Sequence, residues 1–265
     1  MELLGYMAAI IIGISLGLIG GGGSILTVPV LAYLMGISPL IATSYSLFIV
    51  GISSLIGVVT FIKRKSINYL AAIIFALPSF IAVIIARSLV LPLLPNQIKI
   101  YKLMVISKDS LLMVVFSLLM ISASYFMIRV KEVTPLKAQN INSQRNRIKI
   151  GLIGLIVGYL SGMVGAGGGF IIIPALVLFA GLEMKTAVGT SLLIIGFNSL
   201  IGFVSGLHHQ TINWSFLLLF TAFSVLGIVL GSYLTNFIEG DRLKKSFGFF
   251  ILAMGVFILL KEIII

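Results

Sequence analysis

Residues 17–29 read GLIGGGGSILTVP, and residues 162–174 read GMVGAGGGFIIIP. The two stretches lie 145 positions apart, and the same offset aligns 13–69 with 158–214 without a gap. Twenty of these 57 pairs are identical, among them Gly20/Gly165, Gly22/Gly167, Gly23/Gly168, Pro29/Pro174, Gly36/Gly181, Ser46/Ser191 and Asn68/Asn213. Chance matching of apolar sequences produces coincidences at Leu and Ile. It does not hold Gly, Pro, Ser and Asn in one register for more than 50 residues. The chain is therefore a duplication, and internal repeats of this kind mark transporter folds.

Composition places both copies in a bilayer. Sixty per cent of the residues are hydrophobic, 9% are charged and the mean hydropathy is +1.23. Soluble domains carry about 25% charged residues, so a water-facing surface could not be covered here. Several apolar runs reach the roughly 20 residues that cross a hydrocarbon core of about 30 Å. The opening segment from Met1 to Leu18 lacks Lys and Arg and contains Glu2. A secretory signal wants a basic start, so this reads as membrane segment of the mature protein. Cys is absent, which removes disulfides and thiolate metal sites. The net charge of +11 would suggest nucleic acid in a soluble protein. Here Lys and Arg lie mostly between apolar runs, where they record topology, so the expected partner is the lipid bilayer and not nucleic acid.

How often each half crosses turns on residues 4–35. As one helix this stretch would measure about 48 Å, too long for a single span, and it is broken at Gly20–Gly23. If its first arm crosses the membrane, the 18 Lys and Arg residues divide ten against eight between the two sides. If 4–35 and 149–182 are re-entrant hairpins, they divide thirteen against five. The positive-inside rule favours hairpins, with basic loops cytoplasmic and both termini outside. The expected fold is an all-α polytopic membrane protein of the cytoplasmic membrane. It has two homologous, inverted repeats, each a glycine-broken hairpin followed by about three transmembrane helices. The first repeat spans 1–128, a basic cytoplasmic linker spans 129–148, and the second repeat spans 149–265.

Three groups of residues could carry chemistry. The first is Gly20, Gly21, Gly22, Gly23 and Ser24, mirrored by Gly165, Gly167, Gly168 and Gly169. Glycine lets backbone N–H groups approach a ligand, and the helix arm that follows opens with unpaired donors and a positive dipole end, which suits an anion. Such glycines also serve simply for close helix packing. The second group is polar content in the next helix: Thr43, Ser44 and Ser46 in one half, Thr190, Ser191 and Asn198 in the other. Hydroxyls and amides donate to an oxyanion without burying a charge, although Ser and Thr often bond back to their own helix. A midspan amide is costly without a partner, which singles out Asn198. The third group is ionisable. Arg87, near the end of an apolar segment, could attract an anion or extend to the interface, and the residues leave both open. His208 and His209 align with Lys63 and Arg64 and read as interfacial. No cofactor is expected. Two adjacent histidines without cysteine make a poor zinc site, and neither glycine cluster ends in the Gly-Lys-Ser/Thr of a phosphate loop.

The sequence resembles the sulfite exporter TauE/SafE family of membrane permeases. The resemblance is carried by Gly17 through Pro29 with Ala42-Thr43-Ser44, and again by Gly162 through Pro174 with Ala187-Val188-Gly189-Thr190-Ser191. It implies a permease for small sulfur oxyanions, organosulfonates or related carboxylates, with the binding region at the paired glycine segments and their Thr and Ser neighbours. Gly169 replaces Ser24 and Thr190 replaces Tyr45, so the half-sites should differ. The expected activity is secondary transport of a small anion, without enzymatic chemistry and with homo-oligomerisation open. The alternative is a non-transporting scaffold or partner subunit.

Overall fold

The computed structural model describes residues 2–95, 97–100, 104–129, 143–165, 167–207, 212–238 and 240–264. Most of the linker and both His208 and His209 therefore lie outside the described residues. Among the described residues the fold is helical apart from one short hairpin. Helix α1 (Glu2–Ile19) turns at the glycines into α2 (Gly22–Pro29), which continues through a π-turn, Val30–Leu34. The long α3 (Pro39–Lys63) and α4 (Tyr69–Ile85) follow, and α4 runs on through a second π-turn, Ala86–Val90, to Leu91–Leu93. A hairpin of β1 (Gln97–Ile100) and β2 (Met104–Ser107) leads into α5 (Lys108–Arg129). The second half repeats the helical order: α6 (Gln144–Val164), α7 (Gly169–Phe179), α8 (Met184–Gly206), α9 (Trp214–Leu234) and α10 (Gly240–Ile264).

Local chemistry explains the boundaries. Asn68 and Asn213, a repeat pair, cap α4 and α9 by accepting the N–H of Ala71 at 2.9 Å and of Phe216 at 3.2 Å. Pro39 occupies the first turn of α3, where its missing N–H is of no consequence. Lys108 donates to the carbonyls of Leu91 and Leu94, which the end of the α4 extension leaves unpaired.

Residues 4–35 fold as the hairpin the charge distribution favoured. Gly5 lies against Met35, and Gly23 against Ile12 and Leu16, so α2 returns alongside α1. The long helices then interlock across the halves. α1 packs on α9, and its repeat mate α6 packs on α4. Both contacts run on glycine: a Cβ on Gly13, Gly17, Gly227 or Gly231 would strike the facing backbone of the α1–α9 pair, as one on Gly154 or Gly158 would in the α4–α6 pair. α3 packs on its own mate α8, with Gly51 on Leu200 and Gly196 on Leu55, so the two helices run antiparallel. α5 and α10 pair the same way, through Gly248 on Met127 and Gly255 on Met120.

Among the described residues, six helices are long and apolar enough to cross a membrane: Pro39–Lys63, Tyr69–Leu93, Lys108–Tyr125, Gln144–Val164, Met184–Gly206 and Trp214–Leu234. The fourth of these is the first arm of the second hairpin. It is a 21-residue helix that begins in a polar turn at Gln144, Arg145 and Asn146. Exposed residues such as Ile11, Ile73, Leu77, Ile81, Leu152, Ile156, Leu226 and Leu230 form an apolar outer surface that only hydrocarbon covers without cost. The protein is an integral membrane protein.

Candidate functional site

The two hairpin tips meet inside the bundle. A Cβ on Gly169 would lie 2.5 Å from the Cα of Gly21, and one on Gly21 would strike the backbone of Gly169. No side chain fits between the tips, so peptide groups of both halves face one another there. Gly20 and Gly165 make the turn, at φ +72° and +71°, a left-handed conformation that glycine adopts freely. Each packs on the helix that follows in the other half: Gly20 against Val188 and Ser191, Gly165 against Thr43. The two turns then differ. α2 starts at Gly22, whereas Gly167 and Gly168 remain left-handed and α7 starts only at Gly169.

Of the polar residues of α3 and α8, Thr43, Ser191 and Ser199 lie against these tips, and hydrogen bonding sorts the whole set. Ser24 donates to the carbonyl of Gly21 at 2.6 Å, Thr43 to that of Leu40 at 2.8 Å, and Ser191 to that of Val188 at 2.8 Å. These three hydroxyls spend their protons on their own helix. Thr190 accepts the N–H of Asn68 at 3.0 Å, and its mate Tyr45 accepts the N–H of Asn213 at 2.8 Å. These matched bonds tie the start of α4 to α8 and the start of α9 to α3. Asn198 donates to Ser79 at 2.7 Å, and its mate Ser53 donates to Ser224, the mate of Ser79, at 3.0 Å. The buried side-chain atoms that remain without a partner among the described residues are the Oδ1 of Asn198, the hydroxyls of Ser46, Ser54, Ser199 and Ser232, and two nitrogens of Arg87. A Cβ on Gly167 would come 2.7 Å from the Ser199 hydroxyl, which places that free group against the second turn.

Arg87 does not extend to an interface. It sits in the π-turn of α4 with 2% of its surface exposed, among the largest fully buried side chains in the protein. Its Nη1 donates to Ser44 at 3.4 Å, and its Nη2 lies 2.7 Å from where a Cβ on Gly165 would stand. Ser44, by contrast, was legible only as one hydroxyl among several. The sequence signal for Arg87 was a lone charge in an apolar segment, and burial resolved its two readings. Near the N-terminal ends of α1, α3 and α9, a cavity of about 520 Å³ is lined by Tyr6, Met35, Ile41, Tyr45, Asn213 and Phe216.

Comparison with known proteins agrees with this architecture. The sequence profile of the sulfite exporter TauE/SafE family matches residues 6–258. The chain belongs to that family. A probable membrane transporter protein of Xylella fastidiosa is 28% identical over 252 residues, covering 94% of this chain and 91% of its own. The probable membrane transporter protein YunE of Bacillus subtilis is 24% identical over 277 residues, covering 95% and 96%. A probable membrane transporter protein of Methanocaldococcus jannaschii is 35% identical over 112 residues, covering 40% of this chain and 42% of its own. No solved structure matches the chain. Both the family and these relatives place this TauE/SafE chain among membrane transporters. The hairpins that meet at Gly21 and Gly169 are the segments whose sequences carry the family resemblance.

Proposed function

We propose that the protein is a secondary permease for a small anion, such as sulfite, an organosulfonate or a short carboxylate, with its site where the two hairpin tips meet. One observation carries the reading: two glycine turns abut inside a membrane bundle, each opening a new helix there. Irregular backbone at membrane depth survives only inside protein or beside a watery cavity. Helix starts at that depth present N–H donors and positive dipole ends, which favour negative charge. The family's name and the buried cation at Arg87 point the same way.

The repeats are inverted in this reading. α3 and α8 are equivalent in the two halves and run antiparallel, as the uneven distribution of Lys and Arg also requires if the basic loops are cytoplasmic and the termini outside. Inversion allows one bundle to rock against the other around a central site and expose it alternately to either side.

Purified protein in liposomes should move at least one of sulfite, sulfoacetate, taurine, sulfate or a short carboxylate. Gly22→Ala, Gly167→Ala and Asn198→Ala should each suppress that flux in folded protein. Unchanged flux in all three variants, or none of these anions moved by the wild type, contradicts the proposal. Absence of flux together with a stably co-purifying partner would favour a scaffold instead.

A further inference from the structure

The geometry points to a specific anchor within that site: we infer that the free edge of the Arg87 guanidinium binds an oxyanion through two parallel hydrogen bonds, at the second glycine turn. The inference rests on the permease reading and names the group that neutralises the substrate.

An arginine keeps its charge inside a protein, and a buried charge without a partner is among the costliest features a fold can carry. Arg87 is 2% exposed, yet Nε and Nη2 have no hydrogen-bond partner among the described residues, and its one bond goes to a neutral hydroxyl, Ser44. The two free nitrogens are not a random pair. Nε and Nη2 form the side-on fork of the guanidinium, whose parallel N–H groups match the two oxygens of a carboxylate, sulfite or sulfonate. A spherical halide cannot use both bonds equally well.

The surroundings fit a ligand. Gly165, Gly206, Thr43 and Ser44 lie around the guanidinium, drawn from the second hairpin tip, α8 and α3. A Cβ at Gly165 would come 2.7 Å from Nη2, so the glycine is what lets the guanidinium and the turn approach each other. Arg87 also belongs to a π-turn, a local irregularity that often marks functional sites in helices.

The repeat offers an internal contrast. The 145-residue offset carries Arg87 onto Ser232 and Gly165 onto Gly20. Ser232 is equally buried and its hydroxyl also lacks a partner, but it has no charge. The duplicated frame thus places a cation at Arg87 and a neutral hydroxyl at its mate Ser232, and the protein binds one monovalent oxyanion head at the cation.

The test uses the full-length purified protein, with sulfite, acetate and chloride as probes. Wild-type protein should be thermally stabilised by sulfite or acetate and much less by chloride. Arg87→Gln should weaken oxyanion binding about 100-fold or more, through loss of two charge-assisted bonds. Arg87→Lys should retain charge without the fork and weaken it about tenfold. A purely structural arginine predicts a different pattern without ligand. Removing an uncompensated buried charge should leave the ligand-free Arg87→Gln or Arg87→Met protein as stable as wild type or more so, whereas removing a structural one lowers its melting temperature. Oxyanion binding unchanged in Arg87→Gln overturns the inference and leaves the permease reading standing. A ligand-free variant that melts well below wild type also overturns it. If the wild type neither binds nor moves any oxyanion, both fall.

Discussion

Gly21 and Gly169 stand back to back at the meeting point of the two hairpins, close enough that a Cβ on either would enter the other's backbone. Gly21 has φ −136°, which any residue adopts, so its glycine is required by the close approach alone. Gly21→Ala should therefore separate the tips without straining its own backbone. Overpacking of this kind costs about 1–3 kcal/mol. Thermal melting in detergent should drop accordingly, and flux in liposomes should fall further than stability does. An unchanged melting temperature would show that the tips are not in contact.

Two glycines with nearly equal φ separate backbone strain from crowding. Gly36, at φ +68°, has nothing within 4 Å of the position a Cβ would take, while Gly165 meets Thr43 and Arg87. Gly36→Ala should cost about 1 kcal/mol, the left-handed penalty by itself. Gly165→Ala should cost a further 1–3 kcal/mol from overpacking and abolish transport. Equal effects in melting experiments would contradict the packing at the second turn.

The Asn198–Ser79 bond and its mate Ser53–Ser224 join α8 to α4 and α3 to α9. Polar pairs between membrane helices are worth about 0.6 kcal/mol on average. A double-mutant cycle on Asn198→Ala and Ser79→Ala should give a coupling of about that size or somewhat more, and the cycle on Ser53→Ala and Ser224→Ala no more than the first. Additive single mutants in the first cycle would remove the bridge from the account.

Because the chain has no Cys, topology can be read by single-cysteine labelling. Ser38 and Glu183 are exposed and occupy the same place in the two repeats. In intact cells, a membrane-impermeant maleimide should label Ser38→Cys and spare Glu183→Cys. Labelling both, or neither, would mean that the repeats are not inverted.

Tyr33 donates to Glu262 at 2.8 Å, and Lys261 lies 3.6 Å from the Tyr33 ring centre, which fastens the end of the first hairpin to α10. Tyr33→Phe should lower stability by about 0.5–1.5 kcal/mol, the worth of one hydrogen bond. The same Tyr33→Phe change in an Glu262→Gln background should cost less, and equal costs in melting experiments would show that the two residues act independently.

Much of this was legible in the sequence because it depends on residues that have few other uses. Glycines repeated in register announced the broken helices, and low charge content announced the bilayer. Ser24, Thr43 and Ser191 looked like binding groups, yet their protons go to carbonyls of their own helices. A hydroxyl in an apolar helix has that option at every position, and composition does not reveal which option is taken. Arg87 was ambiguous for a related reason. Lipid-facing and core-facing sides of a membrane helix are both apolar, so no periodic pattern says which way an arginine points.

The sequence by itself determined the membrane setting, the duplication and the places where each copy breaks, since these follow from hydropathy, register and the backbone freedom of glycine. Only the tertiary structure decided which helices pair across the halves, that the two breaks touch at Gly21 and Gly169, and that Arg87 is buried with Nε and Nη2 bonded to no described residue. Those facts arise from contacts between residues far apart in the chain, and a contact between two apolar faces leaves little trace in either one alone.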